Sequence, residues 1–208
     1  MPVKDLQNAK QRLSPALSPD QRFALAHAMV EDVFDALAPF AKVPGVTIVS
    51  GDIFASKQAK ARKFSILLDD TEAGETAAIE LATAYCRNLE TPFNLVFPAD
   101  IPLITSTEVR ALLALMPERG VVIAPASDRR GTNGILRRPN DLIPLRFGND
   151  SFEPHLSAAR ATGSYVVIAD FAGIGLDIDT SGDLDALMRQ PIRTRAQRLL
   201  KEWRRAHV

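Results

Sequence analysis

The sequence has almost no cysteine, no excess of charge of either sign and no long apolar run. Its 208 residues contain one cysteine, Cys86, so an internal disulfide and a cysteine–histidine zinc site are both excluded. Cys86 falls in a helical pattern and is interpreted as a small core residue. The 25 lysines and arginines equal the 25 aspartates and glutamates, and this neutral total argues against a dedicated nucleic-acid-binding protein.

No apolar segment approaches the length that spans a bilayer, and Met1–Asp5 does not lead into the apolar stretch of a secretory signal. We therefore expect a cytoplasmic protein with no membrane partner. A content of 46% hydrophobic residues suits one domain over residues 1–208, with 191–208 as a C-terminal helical extension that serves packing or homodimer formation. A Walker loop, a Gly-x-Gly-x-x-Gly fingerprint and a convincing Ser–His–Asp arrangement are all missing.

Short apolar runs alternate with amphipathic segments, which predicts a three-layer α/β domain with a largely parallel sheet. Helix starts are predicted at Ser18, at Thr105 and at Thr180 or Ser181, each a capping residue, and Pro191 is expected to open a last helix with Ile192, Leu199, Leu200 and Trp203 on one stripe. The predicted strands are 46–49, 65–68, 93–97, 121–124, 135–137, 165–168 and 176–178.

Three cations, Lys4, Lys10 and Arg12, lie close together ahead of the first predicted helix. Ligands of such sheets bind beyond the carboxyl ends of the strands, which places the residues after Val3, Phe97 and Ile178 at the expected site. Cations at that edge suit the neutralisation of a triphosphate. The competing interpretation is a solvated basic loop.

Aspartates follow two of the predicted strands. Asp100 comes shortly after the 93–97 run, and Asp177 and Asp179 share one face of the 176–178 segment, with Asp179 at its end. Carboxylates of this kind, completed by phosphate oxygens, suit Mg²⁺. The alternatives are a turn aspartate at Asp100 and a helix-start aspartate at Asp179.

Two polar segments are candidates for binding an anionic substrate. Residues 128–134 form a glycine-containing turn whose backbone N–H groups and Thr132 suit an anion, with Asn133 beside it. Residues 147–152 lead into a predicted helix, where Gly148 and Ser151 precede a phosphate-binding N-terminus and His155 lies near. Ordinary polar turns explain each segment equally well when it is taken singly.

Together these motifs resemble the phospholactate guanylyltransferase family of coenzyme F-420 biosynthesis. The resemblance extends over nearly the whole chain, with the motifs in the same order. The matching segments are 3–4, 9–13, 17–22, 28–33, 98–103, 130–133, 147–152 with His155, and 177–184.

The resemblance implies a nucleotide-diphospho-sugar transferase fold and transfer of GMP from GTP to a small phosphorylated carboxylic acid, with release of pyrophosphate. The acid is 3-phospho-D-glycerate, phosphoenolpyruvate or 2-phospho-L-lactate, with a lean towards the first two. It also implies Mg²⁺ on Asp100 and Asp179, and the triphosphate at Lys10, Arg12 and Lys4. The phosphorylated acid would lie at Thr132, Gly148 and Ser151.

Two departures from the family pattern affect the nucleotide site. Only three residues precede Lys4, so a short first strand is expected, and Ala73-Gly74-Glu75-Thr76 stands where the family has Gly-Leu-Asn. Two other functions are therefore carried forward. One is nucleotidyl transfer to a sugar phosphate or molybdopterin, and the other is a catalytically degenerate homologue that binds a nucleotide without turnover.

Overall fold

A computed structural model describes residues 1–69, 74–148 and 150–206. Asn149, from a matching segment of the family resemblance, and Ala73, from a segment that departs from the family pattern, lie outside these ranges. Seven α-helices and six strands alternate within them, which confirms the α/β class. The helices are α1 Pro19–Leu37, α2 Ile53–Ala61, α3 Glu75–Asn88, α4 Ser106–Ala114, α5 Phe152–Ala161, α6 Ser181–Arg189 and α7 Arg195–Ala206. The strands are β1 Thr47–Val49, β2 Ser65–Leu67, β3 Asn94–Val96, β4 Gly120–Pro125, β5 Thr132–Arg138 and β6 Tyr165–Ile168.

The strands form a parallel β1–β2 pair and a four-stranded sheet in the order β3-β5-β4-β6. β4 runs parallel to β6, whereas β5 runs antiparallel to both β3 and β4. A short turn returns the chain from β4 directly into β5, so the predicted largely parallel sheet is mixed. The first strand is short, as expected, since it is reduced to a parallel bridge between Pro2 and Val49.

Side chains of β4 alternate between two apolar clusters, one on each face of the sheet. Val122 packs in a cluster that includes α1 and α4, while Val121 and Ile123 pack with α3 and α5. Helices therefore cover both faces, as the three-layer prediction requires. Across the described ranges, every helix is too short or too polar to cross a membrane.

Three of the predicted helix starts are confirmed, and each is a complete capping box. The side chains of Ser18, Thr105 and Thr180 each accept the backbone N–H three residues ahead, and the residue at that position bonds back to the capping N–H. These boxes fix where α1, α4 and α6 begin. The start of α6 is the one that matters for the site, because Asp179 immediately precedes Thr180.

Two predictions near the C-terminus are wrong. Residues 176–178 do not form a strand; the Ile178 N–H instead donates to the carbonyl oxygen of Asp100, at 3.0 Å. The last helix begins at Arg195 rather than Pro191, so Ile192 lies outside it and is 41% exposed. Leu200 is buried in a cluster with residues of α1 and α6, which accounts for the position of α7.

We predict that Asp32→Ala lowers the free energy of unfolding by roughly 2–3 kcal/mol, because this buried carboxylate caps α7. Its oxygens accept the backbone N–H groups of Arg195 at 2.8 Å and Ala196 at 3.0 Å. Chemical denaturation measures the change, and Glu80→Ala on the exposed surface of α3 is the matched control. Equal stability of the two variants would contradict a capping role for Asp32.

Candidate active site

One cavity of about 650 Å³ collects nearly all of the predicted site residues. The predicted residues reach it from five places: the first dozen residues, the loop after β3, the start of β5, the loop before α5 and the segment before α6. His155 does not line it but contacts Thr132, which does. The predicted residues that line the cavity are Lys4, Lys10, Arg12, Asp100, Thr132, Asn133, Gly148, Ser151, Asp177 and Asp179.

Lys10 lies between two aspartates from distant parts of the sequence. Its Nζ is 2.6 Å from Oδ2 of Asp100 and 2.8 Å from Oδ1 of Asp179. The Lys10 backbone is left-handed, with a φ of 58°. The side chain of Lys10 is only 9% exposed, so this ammonium group depends on the two carboxylates for its charge partners.

The ion pairs decide the protonation of these groups. Burial alone would lower the pKa of Lys10, but the negative charges of Asp100 and Asp179 outweigh it and raise that pKa. Burial likewise opposes ionisation of Asp179, yet the positive charge of Lys10 lowers the pKa of that carboxyl below its usual range. Both partners are therefore charged at neutral pH.

Backbone contacts hold the two aspartate segments together. The bond from Ile178 N–H to the Asp100 carbonyl ties the segment before α6 to the loop after β3. The Asp183 carboxylate accepts the backbone N–H of Asp179 at 3.1 Å and that of Thr180 at 2.7 Å. The cap of α6 therefore also fixes the position of Asp179.

Further charged groups line the cavity together with Lys10, Asp100 and Asp179. Arg12 places one guanidinium nitrogen 3.4 Å from Oδ2 of Asp179, and the exposed Lys4 lines the same cavity. Glu75, to which sequence reasoning gave no role, also lines it. Burial, with the negative charge of Asp100, raises the pKa of Glu75 to about 7. Its only sequence signal was the departure from the family pattern at this position.

Asn133 and Asp177 form a pair at the edge of the cavity. The Asn133 amide donates to Oδ1 of Asp177 at 2.9 Å and to the carbonyl oxygen of Ile174 at 3.0 Å. Burial raises the pKa of Asp177, and the nearby charge of Asp100 acts in the same direction. These contacts show Asn133 bracing the segment that carries Asp177 and Asp179. Asn133 is also the second residue of β5 rather than part of the preceding turn.

Thr132, Ser151 and His155 form a buried polar cluster in which Thr132 and Ser151 line the cavity and His155 does not. The Thr132 N–H donates to Oγ of Ser151 at 3.1 Å, and Nδ1 of His155 lies 3.0 Å from Oγ1 of Thr132. The expectation that backbone N–H groups here bind an anion is not met at two positions. The Thr132 N–H is taken by Ser151, and the first N–H of α5, from Phe152, donates to the Arg130 carbonyl.

The loop before α5 is held from two sides. The Arg146 N–H donates to Nε2 of His155 at 2.9 Å, and the Phe147 N–H donates to Oγ1 of Thr76 at 3.3 Å. Gly148 then turns the chain with a φ of +136°, a conformation that favours glycine. The turn brings Gly148 and Ser151 to the cavity beside Thr132.

The carboxylates of Asp100 and Asp179 fit a divalent cation. Oxygens of both converge on a single cationic atom, Lys10 Nζ. In the described part of the chain, groups of three or more histidine, cysteine, aspartate or glutamate residues arranged for a metal do not occur. One or two carboxylates completed by substrate phosphates and water is the usual arrangement for Mg²⁺.

Several known proteins are similar in sequence to this chain. Residues 1–206 match the family described as Guanylyl transferase CofC like. A phosphoenolpyruvate guanylyltransferase from Sphaerobacter thermophilus is 35% identical, covering 90% of each chain. A 2-phospho-L-lactate guanylyltransferase from Methanothermobacter thermautotrophicus is 36% identical, over 98% of this chain and 89% of the relative. A 3-phospho-D-glycerate guanylyltransferase from Colwellia psychrerythraea is 32% identical, over 97% and 96%.

The fold agrees with a solved structure from Desulfovibrio desulfuricans G20 that is assigned as a nucleotide-diphospho-sugar transferase. The two superpose with a TM-score of 0.78, covering 97% of this chain and 92% of the other at 22% identity. At that identity the likeness concerns the fold alone. The predicted nucleotide-diphospho-sugar transferase fold is thereby confirmed.

Proposed function

Because this chain belongs to the CofC-like guanylyl transferase family, we propose that it transfers GMP from GTP to a small phosphorylated carboxylic acid. The relatives named above act on phosphoenolpyruvate, 2-phospho-L-lactate and 3-phospho-D-glycerate, and these three acids are the proposed acceptors. The proposed reaction serves coenzyme F-420 biosynthesis in the cytoplasm. The observation that carries the proposal is one cavity that is lined both by charged groups suited to a triphosphate and by the hydroxyls of two buried residues.

The transfer needs one bond to form and one to break. A phosphate oxygen of the acid attacks the α-phosphorus of GTP, and the bond from that phosphorus to the oxygen bridging to the β-phosphate breaks. The bonding electrons leave with pyrophosphate. Such chemistry depends mainly on positioning and on neutralising negative charge.

The cations of the cavity supply that neutralisation. Lys10 is buried and charged, and Arg12 and Lys4 are exposed cations that line the same cavity. We propose that all three face the triphosphate. Mg²⁺, when bound, would be held by Asp100 and Asp179 and would offset the charge of the phosphate oxygens.

The phosphorylated acid is proposed to bind the uncharged part of the lining. Thr132 and Ser151 each contribute a hydroxyl group to that lining, and Gly148 is part of it. Hydroxyl donors suit the phosphate and carboxylate oxygens that all three candidate acids share. The shared groups explain why this set of residues does not select among the acids.

We predict pyrophosphate release when the protein is incubated with GTP, Mg²⁺ and at least one of the three acids. Mass spectrometry should detect the matching guanylylated product, and omission of the acid should remove both products. CTP and ATP in place of GTP, and a sugar phosphate or molybdopterin in place of the acid, test the rival transferases. Calorimetry with GTP tests the degenerate homologue, which would bind the nucleotide without turnover. Release with none of the acids, under conditions where a known relative works, would overturn the proposal.

A further inference from the structure

Two hydroxyl groups in the part of the cavity proposed to hold the phosphorylated acid belong to almost fully buried residues. Thr132 and Ser151 are each 4% exposed, and both still line the cavity. Ser151 Oγ accepts the Thr132 N–H at 3.1 Å, so one of its lone pairs is already used. Within the described residues, the Ser151 hydroxyl hydrogen has no hydrogen-bond acceptor. It can therefore be donated into the cavity.

His155 determines which way the Thr132 hydroxyl faces. A backbone N–H is always a donor, and that of Arg146 lies 2.9 Å from Nε2 of His155. Nε2 must therefore accept, which leaves the proton of the neutral ring on Nδ1. The Nδ1–H group then donates to Oγ1 of Thr132, 3.0 Å away.

The surroundings keep the imidazole neutral. His155 is 1% exposed, and its burial, together with the positive charge of Arg137, lowers the pKa of the ring to about 4. Arg137 is itself held in place by the carbonyl oxygen of Ile143, at 2.6 Å. A second ring proton would lie on Nε2, where its N–H group would face the N–H donor of Arg146. Both facts favour the single Nδ1–H tautomer.

From these contacts we propose that His155 is a positioning residue that orients the Thr132 hydroxyl as a donor towards the phosphorylated acid. Thr132 and Ser151 each accept one bond from the protein and each have a hydrogen left for the ligand. The pair therefore selects a group that only accepts hydrogen bonds, such as a carboxylate or phosphate oxygen. The identity of the ligand rests on the proposed function, whereas the tautomer does not.

Two conservative variants separate the two nitrogens of His155. In His155→Asn the amide NH₂ takes the place of Nδ1–H and keeps the bond to Thr132. In His155→Gln the terminal oxygen takes the place of Nε2 and keeps the bond from Arg146, while the donor to Thr132 is lost. We expect His155→Gln to raise KM for the acid roughly tenfold, a usual cost for one bond to a charged group, with KM for GTP unchanged. His155→Asn should stay within about threefold of wild type in KM for the acid.

Thr132→Val provides a second test that leaves His155 in place. It removes the hydroxyl while keeping the shape of the side chain, so it should raise KM for the acid as His155→Gln does. Combining the two substitutions should add little further, because both remove the same bond. Equal effects of His155→Asn and His155→Gln, or equal rises in KM for GTP and the acid, would overturn the proposal.

Inhibition by glycerol 3-phosphate shows which anionic group the hydroxyls bind, because this compound lacks the carboxylate of 3-phospho-D-glycerate. If the hydroxyls bind the phosphate, His155→Gln should weaken inhibition by glycerol 3-phosphate about as much as it raises KM for the acid. If they bind the carboxylate, that inhibition should not change. Either result supports a donor pair. Stronger inhibition in the variant would count against it.

Nitrogen NMR of the histidine ring gives a readout that needs no substrate. Wild-type protein should show a proton on Nδ1 and a bare Nε2 for His155 between pH 6 and 8. A proton on Nε2 would overturn the inference, even if the protein transfers GMP as proposed. Conversely, absence of transfer to all three acids would remove the proposed function and leave the tautomer result standing.

Discussion

Asp100→Asn is expected to lower guanylyl transfer at saturating GTP and Mg²⁺ by roughly 10³-fold, about 4 kcal/mol of transition-state stabilisation. The Asp100 carboxylate is one of two that converge on a single cationic position in the cavity. An asparagine has nearly the same shape but no charge, so it weakens both the proposed Mg²⁺ site and the partner of Lys10. Initial rates of pyrophosphate release over a range of Mg²⁺ concentrations measure the loss.

The matched control is Asp170→Asn, which removes a carboxylate paired with Arg129 at the surface; neither residue lines the cavity. That variant should keep wild-type rates, because an exposed ion pair contributes little to stability. Thermal unfolding of both variants shows whether the fold is intact. A folded Asp100→Asn protein with normal Mg²⁺-dependent turnover would remove Asp100 from the proposed metal site.

Local signals in the sequence were sufficient for most of the fold. The capping residues Ser18, Thr105 and Thr180 place three helix starts correctly, because a cap is a local bond between residues three positions apart. The reversed direction of β5 is a different kind of fact. It depends on which neighbours the strand pairs with, and the residue pattern at 135–137 does not distinguish the two directions.

The segment from 176 to 178 was predicted to be a strand and is not one, yet the aspartates in it and just after it line the same cavity as the other predicted site residues. Alternating apolar and acidic residues predicted a strand, yet the Ile178 N–H bonds to the Asp100 carbonyl and no ladder forms. Both Asp177 and Asp179 nevertheless line the cavity. A single backbone hydrogen bond between distant segments cannot be predicted from the sequence, although this one holds Asp179 near Asp100.

The direction of the hydrogen bonds around His155 also cannot be predicted from the sequence. Thr132, Ser151 and His155 were found as candidate site residues, but a residue type does not say which atom donates and which accepts. That information comes from the Arg146 N–H, which belongs to a residue without a predicted role. Which residue contacts the ligand and which one orients a neighbouring side chain is therefore determined by the folded structure.

Lys10→Met is expected to have opposite effects on two measurements, because the Lys10 ammonium occupies the position between Asp100 and Asp179. Turnover should fall by roughly 10²–10³-fold, since a buried charge that we propose to face the triphosphate is lost. Without nucleotide, however, the protein should bind Mn²⁺, a probe for Mg²⁺, at least about tenfold more tightly, because the competing positive charge is gone. Electron paramagnetic resonance of free Mn²⁺ measures the second effect.

Lys60→Met on the exposed side of α2 is the control and should change neither quantity. The two effects together distinguish a charge that competes with the metal from one that only stabilises the fold, since a merely destabilised protein would lose Mn²⁺ binding as well as activity. We also expect the nucleotide and the metal to affect each other's binding. A triphosphate that draws Lys10 away from the aspartates would leave both carboxylates available to the cation, so nucleotide and metal should bind cooperatively in wild type. In Lys10→Met that cooperativity should shrink, and unchanged coupling would show that Lys10 does not link the two.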